Sequence, residues 1–139
     1  MIVLDTNVVS EPFRPRADAG VMEWIDARPR SQLRLTSVSV MEMSYGVARL
    51  SDGRRKSRLA TALDVLVNED FAGRILDFDV VAARRAAALM AELETAGTPI
   101  SIADCQIAAI CATHGATLAT RNVKDFSGTG IRLIDPWSA

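Results

Sequence analysis

The chain has 139 residues, 49% of them hydrophobic, with 16 basic against 17 acidic side chains. A domain of that size buries a real core, and a mean hydropathy of +0.15 fits a compact protein rather than a disordered one. The net charge of −1 excludes holding nucleic acid by bulk charge, so any such role has to use local patches or a metal. The apolar runs are too short for a bilayer span. No basic leader precedes the first one, so no signal peptide is expected, and the expected compartment is the cytoplasm.

Ile2-Val3-Leu4 reads as a short strand buried on both faces. Asp5 follows at once, where open α/β sheets bind their ligands, although it can equally cap the next helix. Residues 11–20, with two prolines and a glycine, read as a loop. From Asp18 to Arg28, Val21, Trp24 and Ile25 recur at helical spacing, and Pro29 marks the stop. Leu33 to Val38 reads as a second strand. Ser39 to Leu50 reads as a helix with Met43, Val47 and Leu50 as its apolar stripe. Asp52-Gly53 is a turn, followed by a helix to about Val67 that opens on Arg54-Arg-Lys-Ser-Arg58.

Arg74 to Phe78 reads as a short strand, and Asp79 to Ala96 as an alanine-rich helix stopped by Gly97 and Pro99. Ser101 to Thr113 is the next helix, ended by Gly115, with His114 suited to the carbonyl end. Thr117 to Thr120 and Ile131 to Ile134 are two more strands, the last closing at Pro136. Strands alternating with helices predict an α/β fold. The expected architecture is a three-layer α/β/α arrangement with a mainly parallel sheet of four to five short strands. Right-handed crossovers place the strand-to-helix turns on one edge of that sheet. Cys105 and Cys111, six apart on one helix, face different ways and read as small buried thiols. With one histidine and no Cys/His cluster, a zinc site is excluded.

The predicted edge gathers Asp5, Glu42 (three residues after Ser39), Asp104 (three after Ser101), Asn122 and Asp125. Ser39-Val-Met-Glu42 and Ser101-Ile-Ala-Asp104 resemble capping boxes, and Asn122-Val-Lys-Asp125 can act alike. Capping accounts for each residue singly, but not for all of them sharing one edge. Two carboxylates about 5 Å apart at an effective dielectric near 20 repel by roughly 3 kcal/mol. Three such pairs cost about 10 kcal/mol, comparable to a whole domain's stability. Such a cluster takes up protons or holds a cation. Helix N-termini favour the ionised form and hence the cation. Carboxylate oxygens without Cys or His select Mg²⁺ or Mn²⁺. The physical reading is a metal-dependent phosphodiesterase. A phosphoryl-accepting Asp5 is disfavoured, because Asn7 stands where a second aspartate would serve as the acid.

The basic run Arg54–Arg58 reads either as a solvated face or as a phosphate contact. Arg14, Arg16, Arg28, Arg30 and Arg34 are candidates for lining the approach to the edge. Trp24 and Trp137 read as core or subunit contacts rather than base-stacking groups.

Segments 2–12, 37–46, 100–109 and 118–126 together resemble the motifs of PIN-domain ribonucleases, most closely the bacterial VapC- and FitB-type toxins. The resemblance implies a single PIN domain over residues 1–139. It implies that Asp5, Glu42 and Asp104 match the three acidic metal positions. The fourth position varies in type: Asn122 would orient a water or a carboxylate and Asp125 would be the outer charge, with either able to support the metal. Thr6 and Thr120 would hydrogen-bond the carboxylates.

The implied chemistry is Mg²⁺- or Mn²⁺-dependent hydrolysis of single-stranded or loop RNA, leaving a 5′-phosphate. Asp5 and Asp104 would hold the metal. Glu42 would help hold it and would orient or deprotonate the attacking water. Implied partners are the RNA substrate, a small cognate antitoxin offering a basic side chain to the acidic site, and a second copy in a homodimer. A toxin–antitoxin hetero-oligomer would reach DNA only through the antitoxin. The alternative is a catalytically weak PIN-like subunit that mainly binds an antitoxin in a DNA-binding autoregulatory complex.

Overall fold

The computed structural model describes residues Met1–Ala139. Five short strands form the sheet: β1 (Ile2–Leu4), β2 (Leu33–Thr36), β3 (Ile75–Leu76), β4 (Thr117–Ala119) and β5 (Leu133–Ile134). Their order is β3-β2-β1-β4-β5, and every pairing is parallel. The helices are α1 (Thr6–Val9), α2 (Ala19–Asp26), α3 (Ser37–Ala48), α4 (Arg54–Val65), α5 (Val80–Thr95), α6 (Ile102–His114) and α7 (Val123–Phe126). None is long and apolar enough to cross a membrane.

β1 takes the centre because its side chains serve both faces. Val3 joins Ile107, Ile110, Leu118 and Phe126 in one core layer, together with α5, α6 and α7. Leu4 joins Val8, Trp24, Leu35 and Ala119 in the other, together with α1 and α2. Registering Val3 with Leu118 and Leu4 with Ala119 keeps each pair on its own side of the sheet. α5 and α6 meet through the small residues Ala86, Cys105 and Ala109, where the Cys105 thiol donates to the Ala86 carbonyl at 3.2 Å. Both cysteines are free and buried, as their spacing predicts. Gly115 ends α6 at φ 61°, a left-handed position that favours glycine.

Several boundaries correct the sequence reading. The second strand stops at Thr36 rather than Val38, and α3 begins at Ser37. The Thr36 hydroxyl accepts from the Ser39 amide at 3.1 Å, so Thr36 is the cap. Ser39 lies inside the helix, and no Ser39–Glu42 capping box exists. Val38, β-branched but in the first helical turn, is buried against the α6 layer, so packing overrides its strand preference. Asn122 precedes α7 without a side-chain cap bond, which removes the supposed Asn122–Asp125 box as well. The strand expected over Arg74–Phe78 contracts to two residues, and the one over Ile131–Ile134 to Leu133–Ile134. α4 ends at Val65 and continues as a π-helical turn, Leu66–Asp70, that delivers buried Phe71 to the core. In the segment read as loop, a 3₁₀ turn over Glu11–Phe13 buries Glu11, whose carboxylate accepts from the Asp18 amide at 3.1 Å.

Candidate active site

The parallel sheet puts the carboxyl ends of β1, β2 and β4 side by side, and the acidic residues follow from what comes next in the chain. Asp5 is the residue after β1 and the N-cap of α1, its Oδ1 accepting from the Thr6 amide at 2.8 Å. Asp5 is thus the cap of α1, and it stands at the carboxyl edge of the sheet where a site is expected. Its backbone N–H bonds to the Ala119 carbonyl at 2.9 Å, which ties it to the end of β4. Its other oxygen accepts from the Thr120 hydroxyl at 2.7 Å, and Thr120 in turn accepts from the Asn122 amide at 3.0 Å. Asn7 brackets the same carboxylate. Its Nδ2 lies 3.4 Å from Asp5 Oδ2, and its Oδ1 accepts from the Arg121 amide at 3.2 Å.

Glu42 sits in the second turn of α3, where its Oε1 accepts from the Thr6 hydroxyl at 2.7 Å. Thr6 also shares a 2.9 Å hydrogen bond with Ser39, which is fully buried. The Thr6 and Thr120 hydroxyls thus each donate to one carboxylate, Glu42 and Asp5 respectively. Ser39 does something else: it braces Thr6. Asp104 stands in the first turn of α6, behind the Ser101 cap, whose Oγ accepts from the Asp104 amide at 3.2 Å. Asp125 is exposed on α7.

The charges register one another. Burial pushes the Asp5 carboxyl above its ordinary value of 3.8, and the negative charges of Asp104 and Glu42 push the same way. The hydrogen bonds from Thr120 and Thr6 oppose that rise without cancelling it. Asp104 is also raised, first by burial and then by Asp125 and Glu42, against the bond at Ser101. Asp5, Glu42 and Asp104 therefore form one electrostatic neighbourhood, and the charge of Asp125 reaches it through Asp104. No lysine or arginine pairs with any of them; the ion pairs of the chain are Arg14–Glu11 and Lys56–Asp52.

The side chains do not close into a three-ligand cage. Mg²⁺ does not require one, because it binds through one or two carboxylates and retains waters. An open, all-oxygen set without a basic partner fits such an ion, through Asp5 and Asp104 first and Glu42 next. Cys111 is no competing ligand or nucleophile, since burial, helped by the charge of Asp5, pushes its thiol up to about 12.

The basic residues divide. Arg14 and Arg16 share a cleft with Arg121 and Trp137, and Arg14 and Arg55 line the groove that begins at Thr6 and Asn7. Arg28 lies 3.7 Å over the Trp24 ring and, with Arg30, lines a separate cavity of about 380 Å³ beside α2. Arg34 turns back onto the Ser31 and Leu33 carbonyls. Those three are not near the carboxylates. Trp24 is buried in the core, whereas half-buried Trp137 packs against it and carries the Arg121 guanidinium 4.9 Å above its ring. Sequence reasoning missed Asn7, Ser39 and Arg121. Only Asn7 carries a local signal, a polar side chain two residues past Asp5 at a helix start.

Comparison with known proteins agrees with this geometry. The PIN domain profile matches residues 2–130. The VapC ribonuclease Y4jK of Sinorhizobium fredii is 41% identical over 99% of this chain and 98% of its own. Toxin FitB of Neisseria gonorrhoeae is 38% identical over 99% of each. The structure of FitAB bound to an IR36 DNA fragment superposes with a TM-score of 0.93 at 38% identity, covering 99% of this chain and 96% of that one. The chain belongs to the PIN-domain family, in the group that holds the VapC and FitB proteins.

Proposed function

We propose that this protein is a metal-dependent endoribonuclease and the toxin of a toxin–antitoxin pair. One observation carries the chemistry: three carboxylates within electrostatic reach of one another and a fourth that reaches them through Asp104, with no basic partner, at the carboxyl edge of a parallel sheet. Similarity to a VapC ribonuclease and to toxin FitB supports RNA as substrate and a toxin's role.

Asp5 and Asp104 hold Mg²⁺ or Mn²⁺, with Glu42 as a further ligand and Asp125 as outer charge. When bound, the ion supplies charge neutralisation at the phosphoryl group and acidifies water. The residues of the chain do the rest. The Thr6 hydroxyl fixes the Glu42 carboxylate, which orients the attacking water and takes its proton. Thr120 and Thr6 fix the two oxygens of Asp5. As the new P–O bond forms, the bond to the 3′ oxygen breaks, leaving a 5′-phosphate and a 3′-hydroxyl. Asn122, whose side chain makes no cap bond, would orient a water or a carboxylate.

The partners that fit this role are single-stranded or loop RNA, a small antitoxin and a second copy of the chain, all in the cytoplasm. The antitoxin brings a basic side chain to the carboxylates and carries any DNA contact. The test is cleavage of RNA by antitoxin-free protein, with 5′-end sequencing of the products. Cleavage requires Mg²⁺ or Mn²⁺ and disappears in Asp104→Asn; activity persisting in excess EDTA overturns the reading.

A second reading is favoured by the superposition on a DNA-bound complex. In it the chain is a weak enzyme serving mainly in an autoregulatory assembly. Retention of a small partner by metal-loaded protein that cuts no RNA selects that reading.

A further inference from the structure

Beside the carboxylates lies a groove of about 530 Å³ whose lining includes Arg14, Arg55 and Arg121 and no acidic residue. Thr6 and Asn7 belong to this lining, so the groove opens directly onto the Asp5–Glu42 pair. In a chain with more acids than bases, a groove with three arginines and no carboxylate is locally electropositive, with Arg55 and Arg121 unpaired and Arg14 bonded to Glu11 at 3.4 Å.

Arg121 is the best placed of the three. Its backbone N–H is held by Asn7, and the residue after it bonds to Thr120, which holds Asp5. Its guanidinium lies over Trp137, which leaves the N–H edges of the fork free. It faces the groove and also two smaller clefts, one with Arg14 and Arg16, the other with Asn122, Lys124 and Asp125. Despite acidic neighbours, it makes no ion pair.

We propose that Arg121, stacked on Trp137, is the residue that grips an RNA backbone phosphate next to the scissile one and sets the strand across the carboxylates. The inference rests on the ribonuclease reading for its substrate. An arginine with a free fork offers two charge-assisted hydrogen bonds to a phosphate. The Trp137 face fixes its plane, so less side-chain freedom is lost on binding. Arg14 and Arg55 extend the positive path along the strand, the usual combination of aromatic platform and basic groove for single strands. Trp137 acts through Arg121 as a positioning residue.

The experiment separates grip from chemistry by measuring binding without cleavage. Asp104→Asn protein in EDTA is titrated with a labelled single-stranded RNA oligonucleotide of mixed sequence, and anisotropy is followed at several salt concentrations. Adding Arg121→Ala weakens binding about tenfold, the loss of one charge-assisted contact. It also flattens the log–log salt slope by about 0.7, the contribution of one phosphate on a single strand. Trp137→Leu gives a smaller loss that Trp137→Phe restores, because Phe keeps an aromatic face under the guanidinium. In active protein with Mg²⁺, Arg121→Ala raises KM more than it lowers kcat. Equal affinity and equal slope for Arg121→Ala overturn the proposal. So does a variant that binds RNA normally but no longer captures the antitoxin, since the groove then belongs to a protein partner. If RNA binding responds as stated but no metal-dependent cleavage occurs, the ribonuclease reading falls and the phosphate grip stands.

Discussion

Two adjoining regions of this molecule treat charge in opposite ways. At the carboxyl ends of β1, β2 and β4, carboxylates gather without a cation, and burial holds Asp5 and Asp104 above their ordinary value. A few residues away, Arg14, Arg55 and Arg121 gather in a groove without an acid. The two could neutralise each other, yet no ion pair joins them. Self-repulsion of that kind costs stability. It is offset when something from outside brings the opposite sign to each region. On the function proposed above, a divalent ion would answer the first and a phosphodiester strand the second.

The largest expected effect comes from neutralising the acidic side. Asp5→Asn keeps an oxygen for the Thr6 amide and a donor for the Thr120 oxygen, so the cap survives. RNA cleavage falls by at least about a hundredfold, beyond the ten- to hundredfold lost with a partner that merely supports a ligand, because a metal ligand itself is gone. The metal-free variant melts at a higher temperature than the parent, because one member of a repelling set is gone. Activity assays with thermal melts check both at once. A variant that loses activity and melts lower would mean that Asp5 matters only as a cap.

Thr6→Val comes next. It removes the 2.7 Å bond to Glu42 and the contact with Ser39 while keeping the shape. Loosening a supporting hydrogen bond of this kind costs roughly ten- to a hundredfold in activity or metal affinity. Thr6→Ser restores the hydroxyl and most of the activity. Equal activity in Thr6→Val would remove Glu42 from the reacting group.

The pH dependence sharpens the comparison further. Because the native carboxyls of Asp5 and Asp104 are raised, the folded state holds more protons than the unfolded state between 3.8 and the raised values. Stability from these groups is therefore greatest at the acid end of that window and falls as pH rises through it. In metal-free buffer the melting advantage of Asp5→Asn over the parent is largest at neutral pH and shrinks as pH falls. Saturating Mg²⁺ at neutral pH raises the parent's melting temperature and not the variant's. A melting difference that does not change with pH would show that Asp5 is not electrostatically strained.

The acidic side was far more legible in the sequence than the basic one. Asp5 and Ser101 are caps announced by the apolar runs beside them, and each caps its helix. Thr36 hid its role because Thr36, Ser37 and Ser39 offer three hydroxyls in four residues, and only the point where β2 ends selects among them. Val38 argued for strand by its branching, and the core placed it in a helix. Of the groove, the sequence singled out Arg14 and the run that holds Arg55, but not Arg121 and not their meeting in one place. Arg14, Arg55 and Arg121 belong to a turn, a helix start and a strand end, and only the tertiary fold brings them together. Met43, Val47 and Leu50, read as a buried stripe, are half-buried because they form the groove's apolar wall.

The smallest expected effect tests whether position rather than charge makes the groove basic. The run Arg54–Arg58 invites the view that all its cations serve one purpose, but the structure divides them. Arg55 lines the groove, while Lys56 turns the other way, its Nζ 3.2 Å from the Ala48 carbonyl and 3.3 Å from Asp52. An exposed i,i+4 pair of this type contributes about 0.3–0.5 kcal/mol. Lys56→Ala therefore shifts urea stability by no more than about that amount, and 1 M salt erases the difference because such pairs are screened. In the RNA titration it leaves the salt slope unchanged, whereas Arg55→Ala flattens it. Equal slopes for the two variants would mean that the run acts as a diffuse cationic surface, and the division of charge between groove and edge would lose its structural basis.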